Sequence, residues 1–358
     1  MSDAATAKKA LTQAPKELPQ TLGLHTGSTL LNLACTGNAS YGFLTGGYYY
    51  LVGDSMSGKT FLTLTCLAEA ARNKAFDNYR FILNDVEGGA IMDIANFFGQ
   101  RVADRLERER SESIEDFYYH LDDSVKNGPC IYILDSMDAL SSKAEGNKFE
   151  KDKKAYRRLA AATTPEEKEE KVKGSYGDGK AKINSGHIRQ IIPKLLRSGS
   201  ILIVISQTRD NIGMYGPAKT RSGGRALRFY ATLEIWSSLD KVIERKALGK
   251  DRDVGRWVKL EVKKNRVTGR IPDVYVPIYH SLGIDDIGSC INFLVDEGVW
   301  ACQKGVITAP EFDFAGYENK LARKIEHDGS ELDLRELVQD RWDAIEAALD
   351  MKRKPRYE

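Results

Sequence analysis

GYYYLVGDSMSGKT, residues Gly47–Thr60, is the stretch from which the fold of this chain can be read. Gly47–Val52 is a short aromatic and β-branched run of the kind that forms a strand. It feeds the glycine-rich loop Gly53–Gly58. Lys59–Arg72 then carries Phe61, Leu62, Leu64 and Leu67 at helical spacing. Together GDSMSGKT fills every position of the pattern G-x-x-x-x-G-K-[ST] with Gly53, Asp54, Ser55, Met56, Ser57, Gly58, Lys59 and Thr60. In such a loop the glycines let backbone N–H groups converge on a β-phosphate, and the start of the following helix adds a favourable dipole. Lys59 can reach β- and γ-phosphate oxygens, and the Thr60 hydroxyl can ligate Mg²⁺. These eight residues are the expected ATP site.

Working outward, Tyr79–Asn84 (YRFILN), Cys130–Leu134 (CIYIL) and Ile201–Ser206 (ILIVIS) are continuous apolar runs. Such runs suit strands buried on both faces of a parallel sheet. Helical patterns separate them, over Ala90–Arg108 and over His187–Arg197 with Ile188, Ile191, Ile192, Leu195 and Leu196. The alternation predicts an α/β core, a mainly parallel sheet flanked by helices and joined by right-handed crossovers. Thr232–Ser237, Trp257–Lys263 and Asp273–Ile278 alternate more clearly and are interrupted at Gly255 and at Thr268-Gly269. They predict antiparallel strands extending one edge. Ser141–Lys180 holds 11 Lys/Arg and 8 Asp/Glu and ends in GSYGDGK, which predicts an exposed, partly mobile excursion. Near the C-terminus, Leu334, Leu337, Val338, Trp342, Ile345 and Leu349 share one helical face. The expected division is a mobile N-terminal arm and lead-in segment over 1–40, an ATPase core over 41–300 with the charged insertion 141–182, and a small helical C-terminal region over 301–358.

A hydrophobic content of 42% supports a sizeable buried core. The five cysteines form no CxxC pair, which removes zinc-ligand spacing and fits a reduced compartment better than a disulfide scaffold. No run of about 18 apolar residues is present, so no membrane partner is expected. The net charge of +2 is unevenly spread. Lys182–Arg228 contains nine Lys/Arg against the single acid Asp210, a concentration expected where a polyanion binds.

Cys130–Leu134 runs into Asp135, a carboxylate placed to hold the water shell of Mg²⁺ beside Thr60. Tyr79–Asn84 runs into Asp85-Val86-Glu87, and strand ends in a parallel sheet line the ligand crevice. Glu87 can orient an attacking water. Asp85 reads equally well as a helix cap, and the residues alone leave the choice open. Gln207 follows Ile201–Ser206 at the same edge, where an amide touching a γ-phosphate can report its presence to the chain beyond. That chain, Thr208–Arg228, interleaves glycines, cations, Tyr215 and, just after it, Phe229, a composition suited to tracking a phosphate backbone and touching bases.

In their order along the chain these segments resemble the RecA recombinase family, in its bacterial and phage branch. HTGSTLLNLACTG and GGYYYLVGDSMSGKT resemble the approach to the family's phosphate loop. DVEGG resembles the strand end bearing its catalytic glutamate, which selects Glu87. ILDSMDAL resembles its Mg²⁺-side strand, and SGHIRQIIPKLLRSGSILIVISQTRDNIG its switch glutamine. GGRALRFYATLEI resembles the close of the second DNA loop, and VKKNRVTGR the strand presenting two basic residues to ATP on a neighbouring subunit. The likeness spans Leu22–Val299 with gaps.

It implies a RecA-like core with ATP and Mg²⁺ as cofactors and a DNA-dependent ATPase activity using Lys59, Glu87 and Gln207. Lys264 and Arg266 act in trans, and Arg209, Lys219, Arg221, Gly223, Gly224, Arg225 and Arg228 contact DNA. The excursion around Gly174–Lys182 takes the place of the first DNA loop. The implied partners are single-stranded DNA, a homologous duplex, and further copies of the chain in a helical filament with ATP between protomers, with a mediator or single-strand-binding protein beside them. The implied location is the cytoplasm of a bacterium, or of the host for a phage protein. The same core also serves ring helicases and low-turnover ATP-binding mediators, which stand as alternatives.

Overall fold

The computed structural model describes residues 19–161, 179–210, 219–221, 224–351 and 353. Two short strands, β1 (Gly23–Leu24) and β2 (Phe43–Leu44), pair antiparallel across helix α1 (Thr29–Thr36). Ser28 caps α1 by accepting from the Leu31 N–H, and Gly37 ends it at φ 73°. Residues Thr29–Cys35 are all buried, so this lead-in is part of the main core.

The core proper runs β3 (Tyr48–Gly53), α2 (Lys59–Arg72), β4 (Arg80–Asp85), α3 (Ile94–Phe98), α4 (Gln100–Arg105), β5 (Leu106–Glu109), α5 (Ile114–Lys126) and β6 (Cys130–Asp135). It continues with α6 (Lys143–Ala161), α7 (Gly179–Ser198), β7 (Ile201–Asp210), β8 (Lys219–Arg221) and α8 (Arg225–Tyr230). A long hairpin, β9 (Leu233–Ala247) and β10 (Lys250–Asn265), leads to β11 (Asp273–Tyr279) and β12 (Gly283–Ile284). One sheet takes the order β12–β11–β10–β9–β3–β7–β6–β4–β5, with β8 paired to the end of β7. The block from β9 to β5 is parallel, while β10, β11 and β12 add antiparallel.

Alternation along β3 divides the core. Tyr49 and Leu51 face α1 and α2, and Tyr48, Tyr50 and Val52 face α5 and α7. Apolar residues on both faces are what made these strands continuous apolar runs.

The C-terminal region contains α9 (Asp286–Asp296), a three-stranded sheet of β13 (Ala301–Gln303), β14 (Val306–Ala309) and β15 (Phe314–Tyr317), α10 (Glu318–Asp328) and α11 (Glu331–Leu349). In α11, Leu334 and Val338 join the main core.

Two expectations need correcting. Ala90–Arg108 is not one helix. Asp93 starts α3, Gly99 at φ 90° breaks the chain, and Leu106–Glu109 adds to the sheet edge beside β4. The edge strands are not all antiparallel either, because β9 pairs parallel with β3 before the chain reverses. The start of the charged insertion is an exposed helix. Its first turn is a capping box: Ser142 Oγ accepts from the Glu145 N–H at 3.2 Å, and Glu145 Oε2 accepts from the Ser142 N–H at 3.0 Å. The stretch Gly174–Lys182 enters the described residues only at Gly179.

Candidate functional site

The C-terminal ends of β3, β4, β6 and β7 lie side by side, and each is followed by a polar residue singled out from the sequence. After β3 the loop turns tightly. Gly58 sits at φ 76° as the N-cap of α2, and a side chain at Gly53 would stand 2.2 Å from the Ser237 carbonyl oxygen. Ser57 Oγ donates to the Asp54 carbonyl at 2.7 Å, and Ser237 on β9 donates to the Ser57 carbonyl. The loop is thus braced from β9, while Met56 at its tip is exposed.

Lys59 is buried and folds back onto the loop. Its Nζ donates to the Gly53 carbonyl at 2.9 Å and to the Asp54 carbonyl. Burial lowers its pKa, against the opposing pull of Asp135, Asp54, Glu87 and Asp138. Thr60 Oγ1 donates to Asp135 Oδ2 at 2.6 Å. Burial raises the Asp135 pKa; the Thr60 hydrogen bond works against this, and Glu87 and Asp85 reinforce it. An ammonium and a hydroxyl side by side, facing a crowd of carboxylates, suit a polyphosphate carrying a divalent cation.

The two candidates after β4 separate cleanly. Asp85 accepts from the Gly89 and Ala90 N–H groups at 3.1 and 3.2 Å, so its carboxylate shapes the loop. Glu87 turns toward the neighbouring strands. Its Oε1 accepts from Ser136 Oγ and from Gln207 Nε2, the latter at 3.0 Å. Gln207 is held in turn by Asp138, whose Oδ2 accepts from the Gln207 N–H at 2.7 Å and from Ser206 Oγ at 2.6 Å. Thr208 donates to Asp54, tying the start of the basic loop to the phosphate loop.

Sequence reading gave no role to Asp138, Ser237 and Thr208. Asp138 stands three residues after Asp135, and this spacing is the one available signal. Ser237 and Thr208 reach the site only through the pairing of distant strands.

Lys264 and Arg266 do not join this cluster within the chain. Lys264 lies opposite Glu234 and Glu234 opposite Tyr50, three residues before Gly53. At about 3.3 Å per residue they sit roughly 10 Å back along the strands. There Lys264 Nζ donates to the carbonyls of Arg228, Phe229 and Ala231 at 2.7–2.8 Å, and Arg266 donates to the Phe229 carbonyl. Arg225 is exposed at the start of α8, and Gly224 before it has φ 82°. Arg228, an expected DNA contact, is 46% exposed and pairs its Nε with the fully buried Glu234 at 2.8 Å. The side chains of Arg209, Lys219 and Arg221, and all of Gly223, lie outside the described residues.

A largely parallel sheet with these four strand ends gathered at one edge defines an α/β protein with a RecA-like core. Residues 156–285 match the RecA N-terminal domain family. Protein RecA of Chlorobium limicola is 27% identical over 295 residues, covering 78% of this chain and 71% of that protein. Protein RecA of Rubrobacter xylanophilus is 28% identical over 287 residues, covering 77% and 71%. Over these stretches the chain is similar to RecA proteins. Among the described residues no helix is long and apolar enough to cross a membrane.

Proposed function

We propose that this protein is a DNA-dependent ATPase that assembles on single-stranded DNA as a filament and pairs it with a homologous duplex. The observation that carries the reading is the Gln207–Glu87 contact at 3.0 Å. It joins the candidate catalytic carboxylate to the residue from which β7 runs on into the basic loop. Gly53–Thr60 would hold the phosphates of ATP, with Lys59 on the β- and γ-oxygens. Thr60 and Asp135 would hold Mg²⁺, which when bound neutralises charge on the transferred phosphoryl group.

Glu87 orients the attacking water, and Ser136 fixes its carboxylate. Gln207, poised by Asp138, changes partner when a γ-phosphate arrives and passes that change to the loop beyond. Lys264 and Arg266 stand too far back along the sheet to serve their own loop, which supports their action on the ATP of an adjacent copy. Arg225 and the basic loop contact DNA. A mediator or single-strand-binding protein is the natural accessory to such a filament.

The test is ATP turnover with and without single-stranded DNA in the wild type and in Gln207→Ala. The variant should bind a fluorescent ATP analogue as the wild type does, yet lose most of its stimulation by DNA. Equal stimulation of the two proteins would remove Gln207 as the link and with it the main support for this reading.

A further inference from the structure

Glu234 is a carboxylate in the middle of β9 with no exposed surface. A buried charge is retained only where partners compensate its desolvation, so its partners say what it is for. Several groups lie beside it among the described residues. Trp236 Nε1 donates to Oε1 at 3.1 Å, Arg228 Nε pairs with Oε2 at 2.8 Å, and Lys264 lies directly opposite on β10. Arg228 belongs to α8, the helix at the end of the basic loop. Lys264 spends all three of its ammonium protons on carbonyls at the C-terminal end of that same helix, where a cation is favoured. Arg266 adds a bond to the Phe229 carbonyl and lies 5.8 Å from the Phe229 ring centre.

We propose that Glu234 is a positioning residue of a latch that keeps Lys264 in its own chain. Glu234 holds Arg228, Arg228 holds the last turn of α8, and the carbonyls of that turn hold the Lys264 ammonium. This rests on the reading of Lys264 as a cation for the ATP of an adjacent copy. In this arrangement Lys264 cannot reach a neighbour without breaking three hydrogen bonds. A DNA phosphate beside α8 competes with Glu234 for Arg228, whose side chain is 46% exposed and so open to it. Losing Arg228 loosens the turn and frees Lys264. Binding of DNA by one protomer then arms the cation that acts on its neighbour's ATP, a physical route to DNA-dependent turnover.

Glu234→Gln in the full chain tests this, because the amide keeps the shape and the Trp236 acceptor while removing the charge. Arg228→Gln, at a half-exposed position, opens the latch from the other side, and its Tm is read alongside because it leaves the buried Glu234 carboxylate short of a partner. The first readout is the rate at which an amine-reactive reagent modifies Lys264 in protein alone, followed by mass spectrometry against the other lysines. A severalfold rise at Lys264 in both variants, with other lysines unchanged, is expected. The second readout is ATP turnover without DNA, expected to climb severalfold toward the DNA-stimulated rate in Glu234→Gln. Unchanged labelling in both variants overturns the latch, as does a uniform rise at all lysines with a lowered Tm, which marks a merely structural role. A selective rise at Lys264 in a protein whose turnover ignores DNA keeps the latch and overturns the reading of Lys264 as the trans cation.

Discussion

Asp85 and Glu87 are two residues apart on one strand end, yet one carboxylate binds its own backbone and the other faces the sheet crevice. Glu87→Gln should therefore lower turnover by about 10²–10⁴-fold, the usual worth of a positioned general base. The affinity for an ATP analogue should stay within twofold, and comparable loss of binding and turnover would show a structural role instead. The phosphate-loop residues and Asp135 were legible because each stands in a local pattern of strand followed by polar residue, whereas Glu87 was set apart from Asp85 only by the family resemblance. His25 was not legible, since its character comes from what folds over it. It is 9% exposed, its Nδ1 accepts from the Gly27 N–H at 2.9 Å, and burial, with Arg335 and Arg72 nearby, lowers its pKa from 6.5 to about 3. The unfolded chain therefore binds the extra proton between about pH 3 and 6.5, so stability rises with pH across that window and is lost on acidification. His25→Asn keeps an acceptor for Gly27 without a titrating ring. Urea unfolding of this variant should depend less on pH between 4 and 6 than the wild type does.

Elements differ in how much of their form is local. The four central strands were visible as apolar runs because both their faces are buried, and α2 and α11 because their apolar positions repeat at helical spacing. The segment after Ala90 was misread because Gly99 and the edge pairing of β5 override its periodicity. The reach of β9 past Ser237 was missed for a related reason: beyond that point it pairs with β10 alone, so no apolar face marks it. The part of β9 beside β3 nonetheless decides how the phosphate loop stands. At Gly53 an added Cβ would meet the Ser237 carbonyl oxygen at 2.2 Å and Ser57 Oγ at 2.8 Å, and that carbonyl belongs to a paired strand that cannot easily move. Gly53→Ala should lower the Tm by several degrees and weaken nucleotide binding at least tenfold. Gly146→Ala is the opposite case. It lies in the exposed helix α6 with nothing within 4 Å of its added carbon. There alanine should stabilise by roughly 0.5–1 kcal/mol, the helix preference over glycine. Thermal melts of the two variants should move in opposite directions.

For the whole molecule, charge is where sequence and structure part most. Nine cations between Lys182 and Arg228 suggested one continuous polyanion surface. Among the described residues the fold pairs two of them, Lys194 with Asp122 on α5 and Arg228 with Glu234 inside the sheet. Lys194 and Asp122 are 72 residues apart, beyond any window of charge, whereas Glu234 follows Arg228 closely and lies just outside the basic stretch. The C-terminal region is likewise tied down by distant partners: Asp286 accepts from the Thr29 N–H and Oγ1 at 2.6 and 2.7 Å, with Arg335 3.5 Å away. The pairing of Lys194 sets a bound on what this stretch gives to DNA binding. With Arg228 released to a phosphate in the latch, at most eight of the nine are left, so the stretch contributes a slope of log K against log salt on a single strand no steeper than about −6 per protomer, at about −0.7 per phosphate. Lys194→Ala should leave that slope unchanged because its charge is already spent on Asp122. Arg225→Ala, at the exposed start of α8, should flatten it by about 0.7. Affinities for an oligonucleotide measured by fluorescence anisotropy over a tenfold range of salt would show both effects. A slope unmoved by Arg225→Ala would take α8 off the DNA, leaving the basic loop before it to bind the strand alone.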